Sequence, residues 1–290
     1  MIISRLDGGL GNQMFQYAFG RALSLERRVE LVLDASPLNT ARRSVTPRNF
    51  ALDPFAIQAR TATERESLKC YRATRWPFYG WAIGLTVLKE TPASYPVSLP
   101  GSQNDMVLAG YWQSETCFDA YANRISEELK PNRDLSKRSE AAAREIADSS
   151  SVAIHVRRGD YVSLPAAARF HGTLPISYYE QAAQMIVDRL ANPLWVVFSD
   201  DLEWCREALS FLNGDVRFID HNQGPDSWQD LHLMSLCRHH IIANSSFSWW
   251  GAWLSEQRGH AGQMIHAPKH WFNGSDPYAQ FRIPRRWTRI

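Results

Sequence analysis

The sequence has little of several features that would assign it to common classes of protein. Its four cysteines lie far apart and form no C-x-x-C pair, which argues against a disulfide framework or a zinc knuckle. Basic residues number 32 and acidic residues 30, a balance that does not fit a protein gripping nucleic acid by its phosphates. No fixed-period repeat or low-complexity run is present, so the chain is predicted to be globular.

No apolar run in the sequence is long enough to cross a bilayer. The uncharged stretch 76–88, which is largely apolar, contains Pro77 and two glycines and falls well short of the roughly 20 residues that a spanning helix needs. We expect this stretch to be a loop or a buried element, with transient contact to a membrane surface as the alternative. Arg5 and Asp7 stand where a secretory signal would be apolar, which predicts a cytoplasmic location.

The second half of the chain alternates short apolar runs with helical patterns. The apolar runs that predict buried strands are 152–156, 195–198, 216–219, 240–243 and 263–267. The helical patterns that separate them are 176–190, 202–212, 227–238 and 246–257. Such alternation is typical of a parallel sheet covered by helices on both faces, as in a Rossmann-like domain.

The first half of the chain opens in the same manner and then becomes irregular between 36 and 105. The opening strand, helix and strand are predicted at 1–6, 13–26 and 29–34. We therefore predict an α/β protein of two Rossmann-like domains, 1–138 and 139–290, that face each other across a cleft. The boundary is placed in the polar segment that follows Pro131.

Ligands of such sheets bind beyond the carboxyl ends of the strands, and a glycine-rich turn follows the first strand. Glycines let a backbone come close to a ligand and point bare amides at it. The turn is not the G-x-G-x-x-G fingerprint, because Met14 stands where the last glycine would be. A tight turn without any ligand is the alternative. The candidate ligand-binding residues here are Gly9, Gly11, Asn12 and Gln13.

Two arginines, Arg157 and Arg158, follow the strand at 152–156. The alternation of side chains along a strand places His155 and Arg157 together on the face opposite the branched apolar residues. A guanidinium offers a rigid fork of donors and keeps its charge, so the pair suits a diphosphate. A solvated Arg–Asp cluster on the surface is the alternative.

The next strand ends in Ser199, Asp200 and Asp201. Ser199 or Asp200 could cap the following helix, which needs no ligand. Alternatively, Asp200 could accept the paired N–H donors on the edge of a guanine, which a uracil does not offer. The sequence contains no D-x-D, so a metal-bridged nucleotide is not favoured, and we predict neither a metal site nor a cofactor.

A fourth candidate segment, Asn244, Ser245, Ser246 and Phe247, opens a helix that is rich in tryptophan. Free backbone N–H groups and serine hydroxyls at a helix start can bind phosphate. The alternative is an ordinary helix cap before a packed helix, which is the preferred interpretation for the tryptophans themselves. Together, the candidate segments predict a site for a nucleotide diphosphate between two α/β domains.

Four segments, taken together and in this order, resemble the motifs of the bacterial α-1,2-fucosyltransferases of glycosyltransferase family 11. They are 8–18, 155–161, 198–204 and 244–254, and 268–272 is similar to the closing segment of the family. The resemblance implies a GT-B fold, GDP-β-L-fucose as donor and inversion at the fucose anomeric carbon. It further implies transfer to the 2-hydroxyl of a terminal β-galactoside without a metal ion.

The resemblance also implies residue roles. Arg157 would contact the donor phosphates, His155 and Asp200 would lie near the guanine, and the segment from Ser245 to Phe247 would lie near the phosphates.

Chemistry adds Arg158 as a second neutralising group and Asp160 as the candidate base, because Asp160 follows the arginine pair. Two guanidiniums should lower its pKa, so Asp160 could instead be an orienting group. The alternatives to this function are transfer of another nucleotide sugar and a non-catalytic glycan-binding role, which 11 Trp and 10 Tyr could support by stacking on sugars.

Overall fold

The structure is a computed structural model, and its chain divides into two compact units. The first unit comprises Met1–Asn132 with Gln280–Arg282, and the second comprises Arg133–Ala279 with Ile283–Ile290. The residues that the structure describes are 1–39, 48–91, 105–159, 162, 168–169, 171–274 and 276–290.

The first unit is built on a five-stranded sheet in the order β3-β2-β1-β5-β4, in which every neighbouring pair is parallel. The strands are β1 Ile2–Arg5, β2 Leu31–Asp34, β3 Arg60–Thr61, β4 Thr86–Lys89 and β5 Met106–Ala109. Their central members are apolar at consecutive positions, as in Ile2 and Ile3, because helices cover both faces of a parallel sheet.

Four α-helices lie in the described part of the segment Met1–Asn132. They are α1 Leu10–Arg27, α2 Glu64–Arg75, α3 Pro77–Ala82 and α4 Ala122–Glu128. Helix α1 begins three residues before the predicted start, because Gly9 is its extended N-cap and Leu10 and Gly11 are already buried. Arg28 ends the helix in the left-handed conformation, with φ of 55°.

The second unit has a six-stranded sheet in the order β11-β10-β9-β6-β7-β8, again with parallel neighbours throughout. Its strands are β6 Ser151–Val156, β7 Leu194–Ser199, β8 Val216–Phe218, β9 His239–Ile241, β10 Ile265–Ala267 and β11 Thr288–Arg289. Its helices are α5 Lys137–Ala147, α6 Ile176–Val187, α7 Leu202–Ala208, α8 Trp228–Leu236 and α9 Ser246–Glu256. The last helix of the chain, α10 Ala279–Arg282, contributes Gln280–Arg282 to the first unit.

All five strands and all four helices predicted for the second half are present, with small shifts at their ends. The helix predicted at 202–212 stops at Ala208, since Leu209 caps it and the chain turns back toward β8. The preference for packing over ligand contact in the tryptophan-rich helix is confirmed, since Trp249, Trp250 and Trp253 are buried and pack against one another.

The stretch 76–88 corrects a prediction. It is neither a loop nor a buried element, because it forms α3 and most of β4 and leaves Phe78 and Trp81 exposed by 78% and 76%. Gly80 faces inward and carries the close packing, since a Cβ there would lie 2.9 Å from the Leu85 carbonyl oxygen. In the described part of the chain, no helix combines the length and apolar character needed to cross a membrane.

Both sheets change direction next to their first strand. In the first unit, β2 lies on one side of β1 and β5 on the other, and in the second unit β7 and β9 flank β6 in the same way. At such a switch point the segments that leave the carboxyl ends of two adjacent strands diverge and open a crevice. The glycine turn and the arginine turn each lie at one of these points.

Candidate active site

The arginine turn and the aspartate pair are brought together by the register of β6 and β7. His155 pairs with Phe198 and Val156 with Ser199, so the next two residues of each strand continue side by side. Arg157 Nη1 lies 2.8 Å from Asp200 Oδ2, and Arg158 Nε lies 3.0 Å from Asp201 Oδ2. The sequence therefore placed two arginines opposite two aspartates at the carboxyl edge of the sheet.

Asp200 is held by several donors of the arginine turn. Its Oδ1 accepts a hydrogen bond of 2.8 Å from the Arg158 backbone N–H, and the Gly159 N–H also donates to the carboxylate. Burial alone would raise the pKa of Asp200, but Arg157 and these two N–H groups hold the pKa below its usual range. A Cβ at Gly159 would lie 2.7 Å from Asp200 Oδ2, so any larger residue there would force the Asp200 carboxylate to shift.

Asp201, rather than either residue predicted, caps α7. Its Oδ1 accepts a hydrogen bond of 3.3 Å from the Trp204 N–H, whereas Ser199 Oγ accepts from the Asp201 N–H at 2.9 Å. The alternative in which Ser199 or Asp200 caps the helix is wrong, because Asp200 turns toward β6. The Arg158 guanidinium also stacks on Trp204, with its Cζ 4.1 Å from the centre of the ring, and this contact fixes the plane of the guanidinium.

His155 lies on the same face of the sheet as Arg157 and is almost fully buried. Burial lowers the pKa of His155 to about 3, so the imidazole is neutral at physiological pH. Its Nδ1 is buried and has no hydrogen-bond partner among the described residues. The ring lies 5.8 Å from that of Phe247, which brings the start of α9 next to the end of β6.

The segment before α9 uses its polar side chains to fix the local backbone. Asn244 Nδ2 donates to the carbonyl oxygens of His171, Gly172 and Trp271, at 3.1 to 3.2 Å. Ser245 caps α9 by accepting a hydrogen bond of 3.3 Å from the Phe247 N–H. The first turn of α9 therefore lies at the switch point of the second sheet, beside β6.

In the first unit, the glycine turn is tied down by the amide of Gln13. This fully buried side chain donates to the carbonyl oxygens of Gly8 and Asn49, at 3.0 and 2.8 Å, and accepts from the Ala51 N–H at 2.9 Å. Gly8 takes φ of 82°, a conformation that favours glycine. The Gln13 side chain thus stabilises the turn, and Gly9 and Gly11 lie at the start of α1.

Asn12 belongs to a second hydrogen-bonded chain that sequence reasoning missed. Gln113 Nε2 donates to Asn12 Oδ1 at 2.6 Å, and the Arg282 guanidinium donates to Gln113 Oε1. Arg282 is distant in sequence from this turn, so no local pattern could have identified it. By contrast, the role of Asp201 could have been found by aligning the two charged pairs at the ends of β6 and β7.

The first unit also contains a cavity of about 410 Å³ near the carboxyl ends of β1 and β2. Its walls combine charged, hydroxyl and aromatic groups. They are Arg5, Ser36, Pro37, Glu64, Ser67, Leu68 and Tyr71.

Two further predictions concern the general base and the absence of a metal site. Asp160, the candidate base, lies outside the described residues. Among the residues that are described, no group of three or more His, Cys, Asp or Glu side chains is arranged to hold a metal ion.

Comparison with solved structures identifies the class of fold. The fucosyltransferase NodZ from Bradyrhizobium superimposes with a TM-score of 0.51 at 15% identity, covering 86% of this chain and 91% of that chain. A family 9 glycosyl transferase from Veillonella parvula gives a TM-score of 0.50 at 10% identity, covering 100% of this chain and 85% of that chain. With its two parallel-sheet units, the protein has the predicted α/β fold of the GT-B type.

The sequence comparisons identify the family. The model of glycosyl transferase family 11 matches residues 2–272, so the chain belongs to that family and is a glycosyltransferase, as predicted.

An α-1,2-colitosyltransferase of Escherichia coli is 34% identical over 100% of this chain and 99% of the relative. The O-antigen biosynthesis glycosyltransferase WbnK of the same organism is 34% identical over 94% and 95%. Galactoside α-(1,2)-fucosyltransferase 1 of Ateles belzebuth is 29% identical over 86% of this chain and 64% of that protein.

Proposed function

We propose that the protein transfers L-fucose from GDP-β-L-fucose to the 2-hydroxyl of a terminal β-galactoside, with inversion and without a metal ion. The observation that carries the proposal is the pair of guanidiniums, Arg157 and Arg158, held by two aspartates at the switch point of the second sheet. Relatives named as α-1,2-transferases of fucose and of colitose support the linkage and the kind of sugar.

The donor diphosphate is proposed to lie between the arginine turn and the first turn of α9. Arg157 and Arg158 are 25% and 22% exposed, so they are fixed by their partners and still reach solvent. Their forked donors and the positive N-terminal end of α9, at Ser246 and Phe247, would neutralise the charge that develops on the departing GDP. A NodZ structure soaked with GDP-fucose has the same fold, with a TM-score of 0.52, which is consistent with this donor.

The guanine is proposed to bind near His155 and Asp200. The neutral imidazole of His155 offers a buried Nδ1 that has no partner in the described part of the chain, and Asp200 is ionised. The Asp200 carboxylate already accepts from Arg157 and from two backbone N–H groups, so it also positions the arginine turn. Its remaining lone pairs could accept the N–H donors of the base.

The reaction is proposed to be a single displacement. The acceptor oxygen attacks the fucose anomeric carbon as the bond from that carbon to the GDP oxygen breaks, which inverts the configuration. The electron pair leaves with GDP, and the proton of the acceptor hydroxyl passes to a base, for which Asp160 is our candidate.

The acceptor is proposed to bind to the first unit. The cavity near the ends of β1 and β2 supports this role, because Arg5, Ser36 and Glu64 supply hydrogen-bonding groups for sugar hydroxyls. Tyr71 adds an aromatic wall on which a pyranose ring can stack. On this assignment the predicted domain 1–138 is the acceptor side and the predicted domain 139–290 is the donor side.

A second candidate donor is GDP-colitose, because a relative at 34% identity over the whole chain is named a colitosyltransferase. Colitose is fucose without its 3-hydroxyl, so only contacts to that hydroxyl can discriminate between the donors. A site that hydrogen-bonds the hydroxyl would reject the deoxy sugar strongly, since its buried polar groups would be left unpaired.

The decisive experiment offers GDP-fucose, GDP-colitose and UDP-galactose to the protein with a panel of β-galactosides. We expect turnover with GDP-fucose, an α-1,2 linkage in the product, and competition by GDP but little by UDP. Turnover with GDP-colitose alone would replace the sugar in the proposal and keep the site. Absence of turnover with every donor, despite GDP binding, would favour a glycan-binding or other role.

The same assay tests the absence of a metal requirement. We expect EDTA to leave the rate unchanged, because the two guanidiniums would neutralise the diphosphate. Loss of turnover in EDTA that magnesium or manganese restores would refute this part of the proposal. A buffer treated with a metal-chelating resin and given no EDTA is the control for direct effects of the chelator.

A further inference from the structure

The first unit exposes a concentration of large apolar side chains on α2, α3 and the segment after α3. Six of the nine large apolar side chains that are exposed in the described chain lie between Leu68 and Ile83. Single exposed apolar residues are common on protein surfaces, but a cluster of this kind marks an interaction site. We call Trp76, Phe78, Trp81 and Ile83, together with the basic residues Lys69, Arg72 and Arg75, the interfacial patch.

The exposure of the patch follows from how α3 packs. Gly80 is buried and Tyr79 packs with the core of the unit, so the helix turns these residues inward. Phe78 and Trp81 consequently face outward, with ring centroids 5.5 Å apart. The two rings form one apolar ridge that no part of the described chain covers.

The surroundings of this ridge are positively charged. From Ser67 through Lys89 the sequence contains four basic residues, Lys89 included, and no acidic residue. Lys69, Arg72 and Arg75 are exposed on α2 and form no ion pair with any described residue. The preceding turn of α2 differs, because Glu66 is paired there with Arg60 at 2.8 Å.

We propose that the interfacial patch binds the surface of a bilayer that contains anionic phospholipid. Tryptophan and phenylalanine are favoured at the boundary between head groups and acyl chains, where their rings enter the apolar layer. The three basic side chains can extend to the acidic head groups, and each contributes to the attraction. A second copy of the chain fits the patch less well, because a symmetric contact would place the basic residues of both copies together.

The test is sedimentation of the whole protein with vesicles of phosphatidylcholine, with or without phosphatidylglycerol. We expect binding to the vesicles that contain phosphatidylglycerol, weakened as salt is added. The double variant Phe78→Ser/Trp81→Ser and the triple variant Lys69→Gln/Arg72→Gln/Arg75→Gln should each reduce binding at least about tenfold. The turnover of a water-soluble acceptor should stay unchanged, since none of these residues lines the proposed site.

Matched controls separate the patch from general effects. Arg133→Gln/Lys137→Gln/Arg285→Gln removes the same charge from exposed positions elsewhere, and Val187→Ser removes an exposed apolar side chain of α6. Both controls should bind as the unaltered protein does, and thermal unfolding should show that every variant is folded.

Equal loss of binding in the two triple variants would attribute it to net charge and overturn the proposal. Failure of the unaltered protein to bind vesicles would also overturn it. A patch-dependent dimer in analytical ultracentrifugation, without vesicle binding, would identify a second copy as the occupant instead.

Discussion

The turns that follow β1 and β6 lie at equivalent places in their sheets, but neutral amides stabilise the first turn and ion pairs stabilise the second. The turn after β1 is stabilised by neutral side-chain amides, and the buried Gln13 alone makes three hydrogen bonds to backbone groups. The turn after β6 is held by charge, with Arg157 and Arg158 paired to aspartates while they remain in reach of solvent.

This difference indicates that the first turn mainly stabilises the fold, whereas the second turn is available to bind a ligand. A buried amide that satisfies backbone groups stabilises the fold, and its loss leaves those groups unsatisfied. Ion pairs that reach solvent contribute little to stability, so the arginine turn is better explained by what it can bind. We therefore expect substitutions in the first turn to act mainly on folding and substitutions in the second turn to act mainly on turnover.

The largest effect is expected at Asp160, which follows the arginine turn. Asp160→Asn keeps the size of the side chain and removes the proton acceptor, so kcat should fall by about 10²–10⁴ with GDP affinity nearly unchanged. Both quantities should be measured on one protein sample, with circular dichroism to verify folding. A parallel fall in GDP affinity would assign Asp160 to holding the arginines, and no change in either would make it a bystander.

Acid should distinguish the two units, because all nine histidines lie between residues 155 and 270. Burial lowers the pKa of five of them to about 3 or 4, namely His155, His232, His239, His240 and His266. Below pH 6.5 these histidines become protonated in the unfolded chain but stay neutral in the folded protein. The free energy of unfolding of the second unit should therefore decrease as pH falls from 6.5 toward 4, by about 1 kcal/mol per group at pH 5.5.

One carboxyl offsets part of this loss, because burial raises the pKa of Asp230 to about 7 and its folded form gains stability as pH falls from 7 toward 4.

The first unit should resist acid further. Burial alone would raise the pKa of Glu128, but hydrogen bonds from Arg21, Tyr17 and Arg124 lower it. The stabilising contribution of Glu128 therefore persists until the pH falls through that lowered pKa. Hydrogen exchange, corrected for the intrinsic pH dependence, should show the second unit opening first at pH 5.5, and simultaneous opening would contradict this order.

Arg157→Lys should reduce kcat/KM by about 10²-fold, because one ammonium cannot reproduce the forked contacts of a guanidinium. Arg138→Lys is the matched control, since Arg138 also pairs with an aspartate, Asp220, at 2.7 Å on an exposed surface. The control should retain full activity. An Arg157→Lys protein that keeps more than about a third of kcat/KM would place Arg157 at the periphery of the site.

Gln13→Leu should lower the free energy of unfolding by about 2–3 kcal/mol, because the Ala51 N–H and two carbonyl oxygens lose their partner. Gln184→Leu, which removes an exposed amide from α6, should change it by less than about 0.5 kcal/mol. Urea unfolding of both variants measures the difference. Substrate affinity that falls in the folded Gln13→Leu protein would show that this amide contacts a ligand as well.

The architecture was predictable because it rests on local patterns. Short apolar runs alternating with amphipathic segments predicted five of the six strands of the second unit, β6 to β10, and the turns at strand ends predicted where the polar groups would gather. The prediction was wrong where packing decided the outcome. The uncharged stretch 76–88 was expected to be buried or a loop, yet the inward-facing Gly80 turns Phe78 and Trp81 to the surface.

By itself, the sequence determined the fold class, the family and the set of charged residues at the ends of β6 and β7, since periodicity and motifs are local properties of a chain. Only the tertiary structure decided how those residues are used. Strand register set Arg157 beside Asp200, and burial made His155 neutral. Partners such as Arg282 and Gln113 meet only when distant segments pack together, because a hydrogen bond or a pKa depends on neighbours in space.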